Sequence, residues 1–134
     1  MNKVVHFELP ADNVERAKKF YKETFDWQME DVPEMNYIIL RTTEVDEKMM
    51  PGPKGYPTGA INGGMFKRED ADNMVTGPTF SVGVEDIETA IKKIKNAGGL
   101  ILKEKTPVGE MGFIAYFKDT EGNILSVWQS KQKA

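Results

Sequence analysis

The sequence predicts an α+β fold: two β-α-β-β-β modules, about 1–68 and 77–130, within one domain of 134 residues. Three observations lead there. Period-2 apolar runs alternate with helix-period stretches. The same order of elements occurs twice. Finally, residues 6–24 moved by 73 positions bring Phe7 onto Phe80, Glu15 onto Glu88, Ala17 onto Ala90, Lys19 onto Lys92 and Lys22 onto Lys95. Five identities in 19 are weak alone, but element type, cap and apolar face also agree. A ferredoxin-like α/β barrel, the competing architecture, would need fewer strands per helix.

Each element has its own warrant. Residues 3–9 are rich in β-formers and stop at Pro10, which has no N–H for a ladder. Asp12 with Glu15 three residues later reads as a capping box, with Asn13 as the alternative cap. Val14, Ala17, Phe20, Tyr21 and Phe25 then fall near helical spacing, with Lys18, Lys19, Lys22 and Glu23 opposite. Trp27–Glu30 and Tyr37–Thr42 form two strands around a turn at Pro33 and Glu34. Residues 43–57 are charged and rich in Pro and Gly, a loop in which Met49 and Met50 offer adaptable contact, as in a mobile lid. A strand follows at 59–66. The second copy runs Phe80–Val84, a helix capped by Asp86 with Ile87, Ala90, Ile91, Ile94 and Ala97 inward, and a stop at Gly98-Gly99. Strands at Leu100–Glu104, Phe113–Lys118 and Asn123–Gln129 complete it, the last two joined by a turn at 119–122. For the last strands the shift is 63, pairing Gly59 with Gly122 and Ile61 with Ile124. The first copy therefore holds about ten extra residues, placed in the 43–57 loop.

Composition closes off several functions. The balance of 18 Lys and Arg against 21 Asp and Glu gives a net charge of −3, too little positive field for a nucleic-acid partner. No cysteine exists, which excludes disulfides, thiol nucleophiles and thiolate-bound metals. One histidine cannot build a multi-histidine site within one chain. No run approaches the roughly 20 apolar residues of a membrane span. Neither a membrane partner nor a signal peptide is expected, and the expected location is cytoplasmic.

Several stretches carry a family resemblance: Val5-His6-Phe7-Glu8-Leu9-Pro10, Phe20-Tyr21, Phe25-Asp26-Trp27, Gly59-Ala60-Ile61-Asn62-Gly63-Gly64, and Phe117-Lys118-Asp119-Thr120-Glu121-Gly122-Asn123 leading to Val127-Trp128-Gln129. Across essentially its whole length the chain resembles the vicinal oxygen chelate superfamily of glyoxalases, bleomycin-resistance proteins and dioxygenases. It looks most like the small glyoxalase-like proteins related to lactoylglutathione lyase. The resemblance implies two half-barrels around a cleft, with metal ligands on the first and last strand of each module. The matching residues here are His6, Gly63, Thr79 and Ser126. One imidazole among four makes a poor divalent site, so neither a metal nor any other cofactor is expected.

Those positions are candidate cleft residues instead, together with Glu8 and Trp128. His6 reads as pocket lining, as a general base, or as a packed strand histidine. Glu8 shares its face by strand parity and is either paired within the pocket or solvated at the rim. Thr79, Ser81 and Ser126 supply hydroxyls that hydrogen-bond a ligand or satisfy the backbone. Trp27, Tyr37, Phe113, Tyr116 and Trp128 are the aromatic supply, with Trp128 on the face of Ser126. Gly63-Gly64 marks a close approach or a bulge. The expected function is binding of a small hydrophobic or aromatic molecule, as in sequestration or resistance. A metal-assisted isomerase, lyase or dioxygenase is the alternative, with no catalytic residue assigned. A dimeric interaction module is the third reading, and the resemblance also raises a homodimer.

Overall fold

Side chains rather than propensity set the two helix starts. In the computed structural model, which describes residues 1–44, 59–70 and 75–131, the first helix α1 (Val14–Phe25) follows strand β1 (Val4–Ala11). Asn13 is its cap, accepting a hydrogen bond from the Arg16 amide at 3.0 Å. Asp12 is used elsewhere, accepting from Arg68 Nε at 2.8 Å, so the capping-box reading gives way to its alternative. Strands β2 (Gln28–Val32), β3 (Tyr37–Arg41) and β4 (Gly63–Lys67) follow. A short 3-10 turn at Pro33–Met35 joins β2 to β3. The second copy is β5 (Thr79–Gly83), α2 (Ile87–Asn96), β6 (Leu100–Val108), β7 (Gly112–Lys118) and β8 (Ile124–Ser130). The predicted β-α-β-β-β order is thus present twice. The lid expectation falls on residues 43–57, of which 45–57 lie outside the described residues.

The chain divides into two compact units, His6–Pro78 and Met1–Val5 with Thr79–Ala134. In the first, β4 pairs in parallel with β1 and antiparallel with β3, which pairs antiparallel with β2. Its core lies between sheet and helix: Ala11, Leu40 and Met65 are buried, with Phe7, Leu9, Val14, Ala17, Trp27, Met29 and Ile38 packed on them. Phe20 and Phe25 are each 57% exposed although the sequence pattern turns them inward. At about 100° per residue Phe20 lies well off the Val14–Ala17–Tyr21 stripe, and Phe25 is the last helical residue. Both join a ring cluster in which Tyr21 stacks on Trp27 with centroids 4.9 Å apart.

In the second unit β8 pairs in parallel with β5 and antiparallel with β7, and β7 pairs antiparallel with β6. Ile87 and Ile91 of α2 bury against Ala115 and Val127. Asp86 caps α2 through the Thr89 amide at 3.2 Å, and Gln129 Oε1 accepts from the Ile87 amide at 2.8 Å. Gly98, at φ 99°, takes the left-handed position that ends the helix. Strand β6 runs four residues beyond the predicted Glu104, through Pro107. Proline is tolerated there because β6 pairs only with β7 and leaves one side of its ladder unused. Strand β4 starts later than predicted. Asn62, 3% exposed, takes the place of its first ladder bonds. Its Oδ1 accepts from the amides of Thr42 and Thr43 at 2.7 and 2.9 Å, and its Nδ2 donates to the Thr43 carbonyl at 3.1 Å.

Candidate functional site

In the first unit, strand parity puts Phe7 and Leu9 in the helix-side core and so sends His6 and Glu8 to the opposite face. Glu8 is in register with Gly64 on β4, and Gly64 with Ile39 on β3. Tyr37, two residues before Ile39, shares that face. Its ring reaches from β3 across β4 to β1. The phenol donates to Glu8 Oε2 at 2.8 Å, and the same oxygen lies 2.8 Å from His6 Nε2. Gly64 makes the crossing feasible, because a β-carbon there would overlap the phenol. Gly63, by contrast, is in register with Phe7, and a β-carbon on it would strike the Phe7 carbonyl and ring.

With the Tyr37 hydroxyl donating to Glu8, the His6 tautomer that completes the chain carries hydrogen on Nε2 and donates to the phenol oxygen. Nδ1 is then the imidazole's acceptor. Burial pushes the His6 pKa down, and the Glu8 charge only partly offsets it. The imidazole is therefore neutral at neutral pH. Glu8 is 4% exposed, and the phenol supplies a donor that a buried carboxylate requires.

The second unit places Thr79, Ser81, Ser126 and Trp128 on the face opposite α2. Val127 and Ala115, which pair, fill the helix side, and alternate residues turn away. Thr79 Oγ1 donates to the Ile124 carbonyl at 2.6 Å. Ser81 and Ser126 are both buried, with hydroxyl oxygens 2.6 Å apart. Trp128 lies beside Gly112, where a β-carbon would come within 2.8 Å of its ring.

Of the residues singled out from sequence, His6, Glu8 and Gly63 belong to one unit, and Thr79, Ser126 and Trp128 to the other. His6 and Glu8 are joined through Tyr37, and Ser126 is joined to Ser81. Sequence reasoning placed Tyr37 only among the aromatics. A signal for it existed: adjacent glycines on a strand make room for something large, and here that is a phenol from the next strand.

These donors do not fit a resident divalent ion. Among the described residues no three His, Asp or Glu side chains are grouped to hold one. His6 Nε2 is engaged by the phenol, and hydroxyls such as Thr79 and Ser126 bind transition metals weakly. Among the described residues no helix is long and apolar enough to cross a membrane.

Comparison with known proteins agrees with the fold. A family model described as the Glyoxalase/Bleomycin resistance protein/Dioxygenase superfamily matches residues 3–127. A glyoxylase-like domain-containing protein of Didymella fabae is 30% identical over 121 residues, covering 90% of this chain and 88% of the relative. A probable lactoylglutathione lyase of Vibrio parahaemolyticus is 27% identical, covering 97% and 92%. Among solved structures, a methylmalonyl-CoA epimerase of Streptomyces coelicolor superposes with a TM-score of 0.67 at 15% identity, covering 98% of this chain and 99% of that one.

Proposed function

The chain belongs to the Glyoxalase/Bleomycin resistance protein/Dioxygenase superfamily, and from that premise we propose that it binds a small hydrophobic or aromatic molecule without a metal, in sequestration or resistance. The observation that carries this reading is the His6–Tyr37–Glu8 chain. The one imidazole is hydrogen-bonded at 2.8 Å to a phenol that is in turn bonded to a carboxylate. The trio joins its three side chains to one another. It also orders a polar spot, with Nδ1 as an acceptor, on the sheet face opposite the helix-side core.

The test is metal analysis of untagged protein by inductively coupled plasma mass spectrometry. The expected result is transition metal far below one equivalent, unchanged in His6→Ala. Near one equivalent of zinc, nickel or iron that disappears in His6→Ala would overturn the proposal. It would promote a second reading, a metal-assisted isomerase, lyase or dioxygenase. That reading draws support from the relative named probable lactoylglutathione lyase.

A further inference from the structure

Trp128 carries an unsatisfied donor. Among the described residues, its indole Nε1 is the one buried side-chain nitrogen or oxygen without a hydrogen-bond partner. Buried polar atoms in native chains are almost always paired, so a lone exception needs an explanation such as a ligand. The ring is positioned rather than loose. Its backbone is locked in the ladder opposite Ile114, and its carbonyl accepts from the Val84 amide at 2.8 Å. Gly112 leaves room for the ring, since a β-carbon there would crowd both the ring and the Gln129 carbonyl.

A second donor lies on the same face. Ser81 and Ser126 hold two hydroxyl protons between them, and their mutual contact uses one. The other remains to be given. Ser126 and Trp128 are two residues apart on β8, about 6.5–7 Å along the strand. Thr79 adds no donor, because its hydroxyl proton goes to the Ile124 carbonyl.

We infer that the indole N–H of Trp128 is a ligand subsite for an acceptor oxygen, as in a carbonyl, carboxylate or nitro group, carried on an aromatic or apolar body. This rests on the small-molecule-binding reading and narrows it: the ligand is an oxygen acceptor and not a plain hydrocarbon. In this reading the aromatic body lies against the indole, while the oxygen takes the N–H on the sheet face that Ser81 and Ser126 share.

The experiment compares shape-matched probes on the full chain. Acetophenone and α-methylstyrene differ by a carbonyl oxygen against a methylene. Nitrobenzene and benzoate extend the acceptor set. In the protein labelled with nitrogen-15, two indole N–H resonances are present, from Trp27 and Trp128, and Trp128→Phe identifies the second by its loss. The expected result is a downfield movement of the Trp128 indole proton with the acceptors and not with α-methylstyrene. Acetophenone should bind about tenfold more tightly than the hydrocarbon, as one added hydrogen bond would give. That ratio should fall to about one in Trp128→Phe. Should this variant fail to fold, benzothienylalanine at position 128 replaces the N–H with sulfur in the same ring shape. Equal binding of ketone and hydrocarbon would overturn the inference and leave the binding reading intact. No movement of either indole with any probe would sink both.

Discussion

Tyr37 carries more of the site than its own chemistry suggests, because it is the shared partner of His6 and Glu8. Removing its hydroxyl in Tyr37→Phe should cost about 1–3 kcal/mol, the scale of losing its hydrogen bonds to His6 and Glu8; urea unfolding measures it. Gly64→Ala attacks the same contact from below, since its methyl overlaps the phenol. A loss of about 1–3 kcal/mol is expected from such overpacking. In Tyr37→Ala/Gly64→Ala the clash is gone, so the double variant should lose less than the sum of the singles; additive costs would refute the contact. His6 gives a pH signature. Its folded pKa lies below the ordinary 6.5 because of burial. Below pH 6.5 the unfolded chain takes up a proton that the folded chain resists. The stability linked to His6 is therefore complete above that value and is lost as pH falls through the folded pKa. Between about pH 7.5 and about pH 5.5 the wild-type melting temperature should fall more than that of His6→Gln.

At the scale of elements, most boundaries were legible because their signals are local. The Asp86 cap, the Gly98 stop and the Asp119–Asn123 turn act within a few residues. In that turn the Asp119 carboxylate accepts from the amides of Glu121 and Asn123 at 2.8 and 2.9 Å and from Asn123 Nδ2 at 2.9 Å. Those bonds hold its pKa down. What was not legible depended on contacts distant in sequence. Asp12 was lost to the cap because Arg68, 56 residues away, claims it. Asn13→Ala should therefore destabilise α1 by about 1 kcal/mol, and Asp12→Ala by clearly less; equal losses by thermal melting would restore the capping box. The late start of β4 has the same origin, since Asn62 acts through the backbone of Thr42 and Thr43.

For the molecule as a whole, the repeat was readable where side chains mark their faces and failed where they do not. Glu8 pairs with Gly64 and Ser81 with Ser126. Those pairs keep the shift of 73 for the first strands but make it 62, not 63, for the last. Glycine has no side chain with which to show its parity, so Gly63 and Gly64 could not be told apart from sequence. The candidate site was accordingly half legible: that His6 and Glu8 share a strand face could be read from parity, while the tyrosine between them was hidden behind a register that two glycines conceal. The whole-molecule prediction concerns metal removal. A ligand that binds only the folded state raises its stability by mass action. On the metal-free reading, dialysis against a chelator should leave the melting temperature unchanged, and a drop of several degrees would contradict it.

The phenol lying over Gly64 also imposes an order on change. A lineage drifting toward a metal-binding descendant would benefit from a carboxylate or imidazole at position 64, beside Glu8. That substitution is blocked while Tyr37 occupies the space. Shortening residue 37 first is permissive, although it removes the phenol that Glu8 and His6 share; enlarging residue 64 first collides with the ring. The two sites are therefore epistatic, and the accessible path runs through loss of the aromatic before gain of the ligand.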